Sequence, residues 1–219
     1  MKNNKSLSRI AMFEEINSFM ESNLEKWNSI QEIRRTYDEF INNLKKIKEL
    51  QPELERDLSP VRKELQERRD LLLQKIFPVV NILEVYTEDH KPGKKALSLI
   101  ISSKKLESLG NRKLLLHSER LSKLINKYLH RTENAEQDIK RYGLTQSMLD
   151  ELNSTAKQFL SSVQLREDVV SYRKRTKKKR DGLILTSRKL LKKRLNKLMT
   201  VFSGTHPSFY QEYFRITNQ

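Results

Sequence analysis

Apolar residues recur at steps of three and four along the first quarter of the chain: Ile10, Phe13, Ile16, Met20, Leu24, Trp27, Ile30, Tyr37, Ile41, Leu44 and Ile47. Side chains three and four apart share one face of an α-helix, so this spacing predicts a single amphipathic helix from about Ser8 to Leu50. At 1.5 Å rise per residue such a helix would be roughly 60 Å long, more than a compact globule needs. Five Gly and five Pro among 219 residues leave little turn chemistry to interrupt it. The expected fold is all-α: an elongated antiparallel helical bundle of about five helices, forming one domain across residues 1–219.

The other segments are read in the same way. Ser59 before Pro60 suggests an N-cap followed by proline at the first helical position, opening a second helix to about Thr87 with Pro78 as a kink. "HKPGKK", from His90 to Lys95, reads as a loop, and Leu97 to Ile101 as a short helical piece. A third helix is expected from about Arg112 to Tyr142. Gly143 can adopt the left-handed conformation that ends it, and Thr145 can cap a fourth helix from Gln146 to about Ser162. A fifth segment runs from about Arg166 to Ser203. The tail "HPSFYQEYFRIT" carries enough apolar surface for a short docked helix.

Little in the sequence suggests catalysis. Gly93, Gly110, Gly143, Gly182 and Gly204 lie too far apart to form a phosphate-cradling loop. Without cysteine the chain has no disulfide, thiolate metal site or cysteine nucleophile. His90, His117, His130 and His206 are isolated, and none follows a Glu by three residues as helical di-metal sites require. Carboxylate pairs such as Glu14-Glu15 and Glu88-Asp89 read as solvated helix surface. Trp27 and its aromatic neighbours read as core. The expectation is a protein without enzymatic activity, catalytic residues, metal or cofactor. No apolar run has the length of a membrane span, and the N-terminus has no apolar core of the signal-peptide type, so a cytoplasmic location is expected.

Charge is the most informative property. The net charge is +16, and Ser171 to Lys197 holds thirteen basic residues against one acid, Asp181. Within this basic segment, 171–197, the stretch "YRKRTKKKRDG" is almost pure in sign. The candidate polyanion-binding residues are Arg173, Lys174, Arg175, Lys177, Lys178, Lys179, Arg180, Arg188, Lys189, Lys192, Lys193, Arg194 and Lys197. The apolar seam of Leu183 or Ile184, Leu191, Leu195, Leu198 and Phe202 projects backwards onto Arg180, Lys177 or Thr176, and Arg173. An unpaired buried charge costs several kcal/mol. The stretch is therefore expected to face solvent, either as a protruding helix or as a loop ending at Asp181-Gly182.

Several polyanions would satisfy these charges. Nucleic acid would be held through its phosphates without base reading, since zinc-finger spacing and base-stacking motifs are missing and only Tyr172 interleaves the cluster. An acidic protein partner would serve equally. An anionic membrane surface is weaker, because the leucines from Leu183 onward suit a core. Phe209, Tyr210, Tyr213 and Phe214 are the candidate partner-binding residues, and left undocked they would form an exposed apolar patch. A seam as long as that of the first helix would also pair with a second copy of the chain.

The long amphipathic N-terminal helix, "RYGLT" at Arg141 to Thr145 before a helix, and the ending "LNKLMTVFSGTHPSFYQEYFRIT" resemble an uncharacterised family of small all-helical bacterial proteins. That resemblance implies a helical bundle with no known activity. The chain departs from the family pattern in its basic stretch and at Asn196, where an acid is usual. The leading functional expectation is a non-enzymatic binding or scaffold protein acting through protein-protein contacts. The alternative is sequence-independent nucleic-acid binding through 173–197.

Overall fold

The structure, a computed structural model, describes residues 2–90, 97–130 and 139–218. It is all-α, with no strand among the described residues. The chain divides into two compact units, Met1–Arg56 with Ser171–Gln219, and Asp57–Val170.

In the first unit the expected single helix is broken. Helix α1 spans Lys2–Ser22, the short α2 spans Leu24–Trp27, and α3 spans Gln31–Glu55. The last turn of a helix leaves carbonyls without intrahelical partners. Here side chains take them: Asn23 donates its amide to Phe19 O at 2.9 Å, and the Trp27 indole N–H reaches Met20 O at 2.8 Å. The chain turns at Asn28 to Ile30 and α3 returns along α1. Phe13 meets Phe40 edge-on at 5.4 Å, and Tyr37 donates to Asn17 Oδ1 at 2.9 Å. Apolar periodicity continues through the turn because Trp27 is itself core, so the pattern could not mark the break.

The second unit begins with α4, Ser59–His90, which carries Pro78 inside it. The expected Ser59 cap is replaced by Asp57, whose Oδ1 accepts the Ser59 backbone N–H at 2.9 Å. That hydrogen bond also holds the Asp57 carboxyl below its ordinary range. The proposed "HKPGKK" loop lies outside the described residues beyond His90. Of Leu97 to Ile101, expected to be a short helical piece, only Leu97 is helical: Ser98 and Leu99 form a turn, and the chain stays irregular to Ser102. Leu99 is buried there, which explains an apolar run without helix. Then follow α5, Ser103–Ser108, and α6, Asn111–Leu129.

The expected continuation of α6 through 131–138 lies outside the described residues, and Ile139–Tyr142 form a 3-10 turn. Gly143 then takes φ +87°, the left-handed conformation anticipated for it. Thr145 Oγ1 accepts the Met148 N–H at 3.2 Å and opens the next helix, also as anticipated. The core of this unit joins α4, through Leu72, Ile76 and Leu83, to α6, through Leu114, Leu121 and Ile125, and to Leu152 and Phe159 beyond Thr145.

The fourth and fifth helices expected from sequence are one element, α7, Gln146–Leu190. Neither Gly nor Pro interrupts it before Gly182, and none of its side chains is buried between Gln164 and Arg175. The helix crosses from one seam to another, and a solvated middle turn looks like a terminus when only apolar spacing is read. A π-helical turn, Leu191–Leu195, continues it, followed by the short α8, Asn196–Met199, and α9, Phe202–Thr205, and by α10, Pro207–Thr217. The first unit's core gathers Phe13, Ile16, Trp27, Phe40, Ile184, Leu195, Met199, Phe209 and Tyr213. Phe19 stacks on Phe209 at 5.2 Å, so α10 docks on α1.

Candidate polyanion-binding site

The basic run is helix throughout, and it does not wholly face solvent. Thr176 and Arg180 are buried, Arg180 being 2% exposed, while Arg173 is half-buried. The seam therefore does continue back through these positions, correcting the expectation that the whole stretch is displayed. Each buried guanidinium has partners. Arg180 donates Nε and one terminal nitrogen to Asp181 Oδ1 at 3.2 and 2.9 Å, and its other terminal nitrogen to Gln51 Oε1 at 3.4 Å. Arg173 donates to Leu54 O and, at 3.4 Å, to Arg56 O. These carbonyls end α3, where the helix dipole is negative and backbone acceptors stand free. Two members of the run thus act as structural ties between α7 and α3.

The other members of the run lie outward. Lys174, Arg175, Lys177, Lys178 and Lys179 are exposed, and none has an ion pair or side-chain hydrogen bond among the described residues. Lys174 with Lys178, and Arg175 with Lys179, stand four apart and so lie side by side on the helix surface. Farther along, Arg188, Lys189, Lys192, Lys193, Arg194 and Lys197 are exposed as well. Of these six, Arg194 is tied to Glu32 at 3.0 Å, and the other five have no carboxylate within reach among the described residues.

Sequence reasoning missed Lys5 and Arg9. Together with Arg188, Lys189, Lys192 and Lys193 they line a groove between α1 and the π turn. One part of the groove, about 430 Å³, is walled by Met12, Leu185, Arg188, Lys189, Leu191, Lys192, Lys193 and Asn196. The adjoining part, about 600 Å³, adds Lys5, Ser8 and Arg9 and shares Met12, Arg188, Thr217 and Asn218. Neither an acidic nor an aromatic side chain lines it among the described residues. The four-residue spacing of Lys5 and Arg9 was visible in the sequence, but their approach to Arg188 is tertiary.

The predicted partner-binding residues are divided. Phe209 and Tyr213 are buried, and Tyr210 and Phe214 are half-buried against the same core. The exposed apolar patch that this segment would have offered a partner is therefore absent, because α10 packs its aromatic face on α1. Burial also drives the Tyr213 phenol well above its ordinary range. Its hydroxyl donates to Asn196 Oδ1 at 2.8 Å.

A second polar cluster lies in the other unit. Tyr142 donates to Asp89 Oδ2 at 2.6 Å and lies 3.1 Å from His90 Nε2. The Asp89 hydrogen bond raises the Tyr142 pKa, so the phenol stays protonated and serves as a donor. No group of three or more potential metal ligands occurs among the described residues, and none of the described helices is long and apolar enough to cross a membrane. No family model matches the chain, nor does any curated protein or solved structure.

Proposed function

We propose that the protein binds nucleic acid through its phosphate backbone, without reading sequence, and does so in the cytosol. The observation that carries this reading is the outward face of α7, where Lys174, Arg175, Lys178 and Lys179 stand together with no carboxylate opposing them among the described residues. Unopposed cations on one helix face repel one another, and phosphates relieve that repulsion while releasing counterions. Helix α7 also supplies rigidity, since Arg173 and Arg180 pin it to α3 while leaving their neighbours free. The docking of α10 favours this reading over a scaffold acting through Phe209, Tyr210, Tyr213 and Phe214. An acidic protein would meet the same charges, and is the alternative outcome of the test.

The test is fluorescence anisotropy of labelled duplex DNA and RNA of random sequence, titrated at several salt concentrations. Engagement of about five phosphates gives a slope of log K against log salt of roughly −4.5. The Lys174→Glu/Arg175→Glu/Lys178→Glu/Lys179→Glu variant should abolish binding without changing far-UV circular dichroism. Arg173 and Arg180 are unsuitable for this variant, because reversing them would attack the fold. Absence of binding at low salt would overturn the reading and direct the search to acidic proteins.

A further inference from the structure

The groove between α1 and the π turn differs from the outer face of α7 in kind. We propose that it is a separate binding site for a short chain of linked phosphoryl groups, an oligophosphate of the tripolyphosphate class. Lys5 and Arg9 enter from one wall and Arg188, Lys189, Lys192 and Lys193 from the other. None of the six is neutralised by a carboxylate among the described residues. Cations just beyond the groove are tied down: Arg194 to Glu32, and Arg215 to Glu15 and Glu212. Positive charge is thus left unopposed inside a concavity, where the field on an anion is strongest.

Shape and polarity narrow the ligand. The part of the groove at the π turn, about 430 Å³, has the size of a small-molecule site. A neutral donor is also held in place there. The Asn196 carbonyl oxygen accepts the buried Tyr213 hydroxyl, which leaves the Asn196 amide N–H groups to serve an anion in the groove. Among the described residues the lining has no aromatic side chain on which a base could stack. Recognition therefore falls on the phosphate chain itself, and a nucleoside attached to it adds little.

Isothermal titration of the full chain with inorganic tripolyphosphate, ATP and inorganic phosphate tests this. Tripolyphosphate should bind saturably at one equivalent, ATP within about threefold of it, and phosphate at least about tenfold more weakly. Lys5→Glu/Arg9→Glu should weaken tripolyphosphate by at least about tenfold, while Lys174→Glu/Lys178→Glu changes it by less than about twofold. Asn196→Asp keeps an acceptor for Tyr213 and adds one negative charge, so it should also weaken binding about tenfold with an unchanged unfolding midpoint. Failure to saturate at low salt, or equal loss in both charge-reversal pairs, would overturn the site in favour of diffuse attraction. ATP binding far tighter than tripolyphosphate would overturn the phosphate-chain reading in favour of a base site. The nucleic-acid reading stands or falls separately, on the Lys174 and Lys178 reversals measured with duplex.

Discussion

In the second unit, Lys75, Arg112 and Lys123 each meet a carboxylate, at Glu151, Glu167 and Glu119. In the first unit, Lys174, Lys178, Lys189 and Lys193 meet none among the described residues. Twenty basic side chains against sixteen acidic ones give the second unit +4, whereas twenty-four against twelve give the first +12. Exposed ion pairs contribute only about 0–1 kcal/mol each, so the contrast is not one of stability. It separates a nearly balanced surface from one with an excess of positive charge that its own carboxylates are too few to answer. The first unit shows the same division on a smaller scale. Arg173 and Arg180 serve the fold, and the lysines between them do not.

The sharpest way to break this comparison is to remove the buried arginine. Arg180→Ala should destabilise the protein by about 2–4 kcal/mol, through lost packing and an abandoned Gln51. Lys178→Ala, two residues away and exposed, should change stability by less than about 0.5 kcal/mol. Urea unfolding of the two variants measures the difference, and equal costs would refute the structural role of Arg180. Arg180→Met, which fills the site without charge, should restore most of the loss.

Smaller effects probe each unit separately. Gly143→Ala places a Cβ at φ +87° in open space, so its cost of about 1–2 kcal/mol is purely conformational and should appear as a lowered melting temperature. Tyr213→Phe keeps the ring in the first unit's core but loses the hydrogen bond to Asn196, for about 1 kcal/mol in chemical denaturation. The smallest effect concerns pH. Burial first, and Arg120 second, hold His117 below its ordinary value of 6.5, with Nε2 left without a hydrogen bond. The unfolded chain therefore takes up the proton sooner. Stability from this group is complete above about pH 6.5 and declines as pH falls below it, with a slope no steeper than one proton. Unfolding of His117→Leu should lack that slope below about pH 6.5.

Helical character, the location of the charge, the glycine stop at Gly143 and the threonine cap at Thr145 were all legible in the sequence. Each depends on residues within a few positions of one another, as periodicity, composition and turn chemistry do. The end of α1 leaves no mark in the apolar spacing, because Trp27 satisfies the period and also supplies the indole N–H that helps end the helix. The unity of α7 is equally hidden, because a solvated crossover lacks apolar spacing just as a terminus does.

The candidate site was half legible. The sequence alone determines that the cations of 173–197 form a dense helical stripe, since spacing and charge sign are local. Only the tertiary structure decides which of them are free. Arg180 finds Gln51 across 129 residues, and Arg173 finds the open carbonyls at the end of α3. The same holds for the groove: Lys5 and Arg9 join Arg188 only through the tertiary fold, 179 residues or more apart in sequence. Burial of a charge depends on partners supplied by distant segments, and no local pattern encodes where those segments will stand.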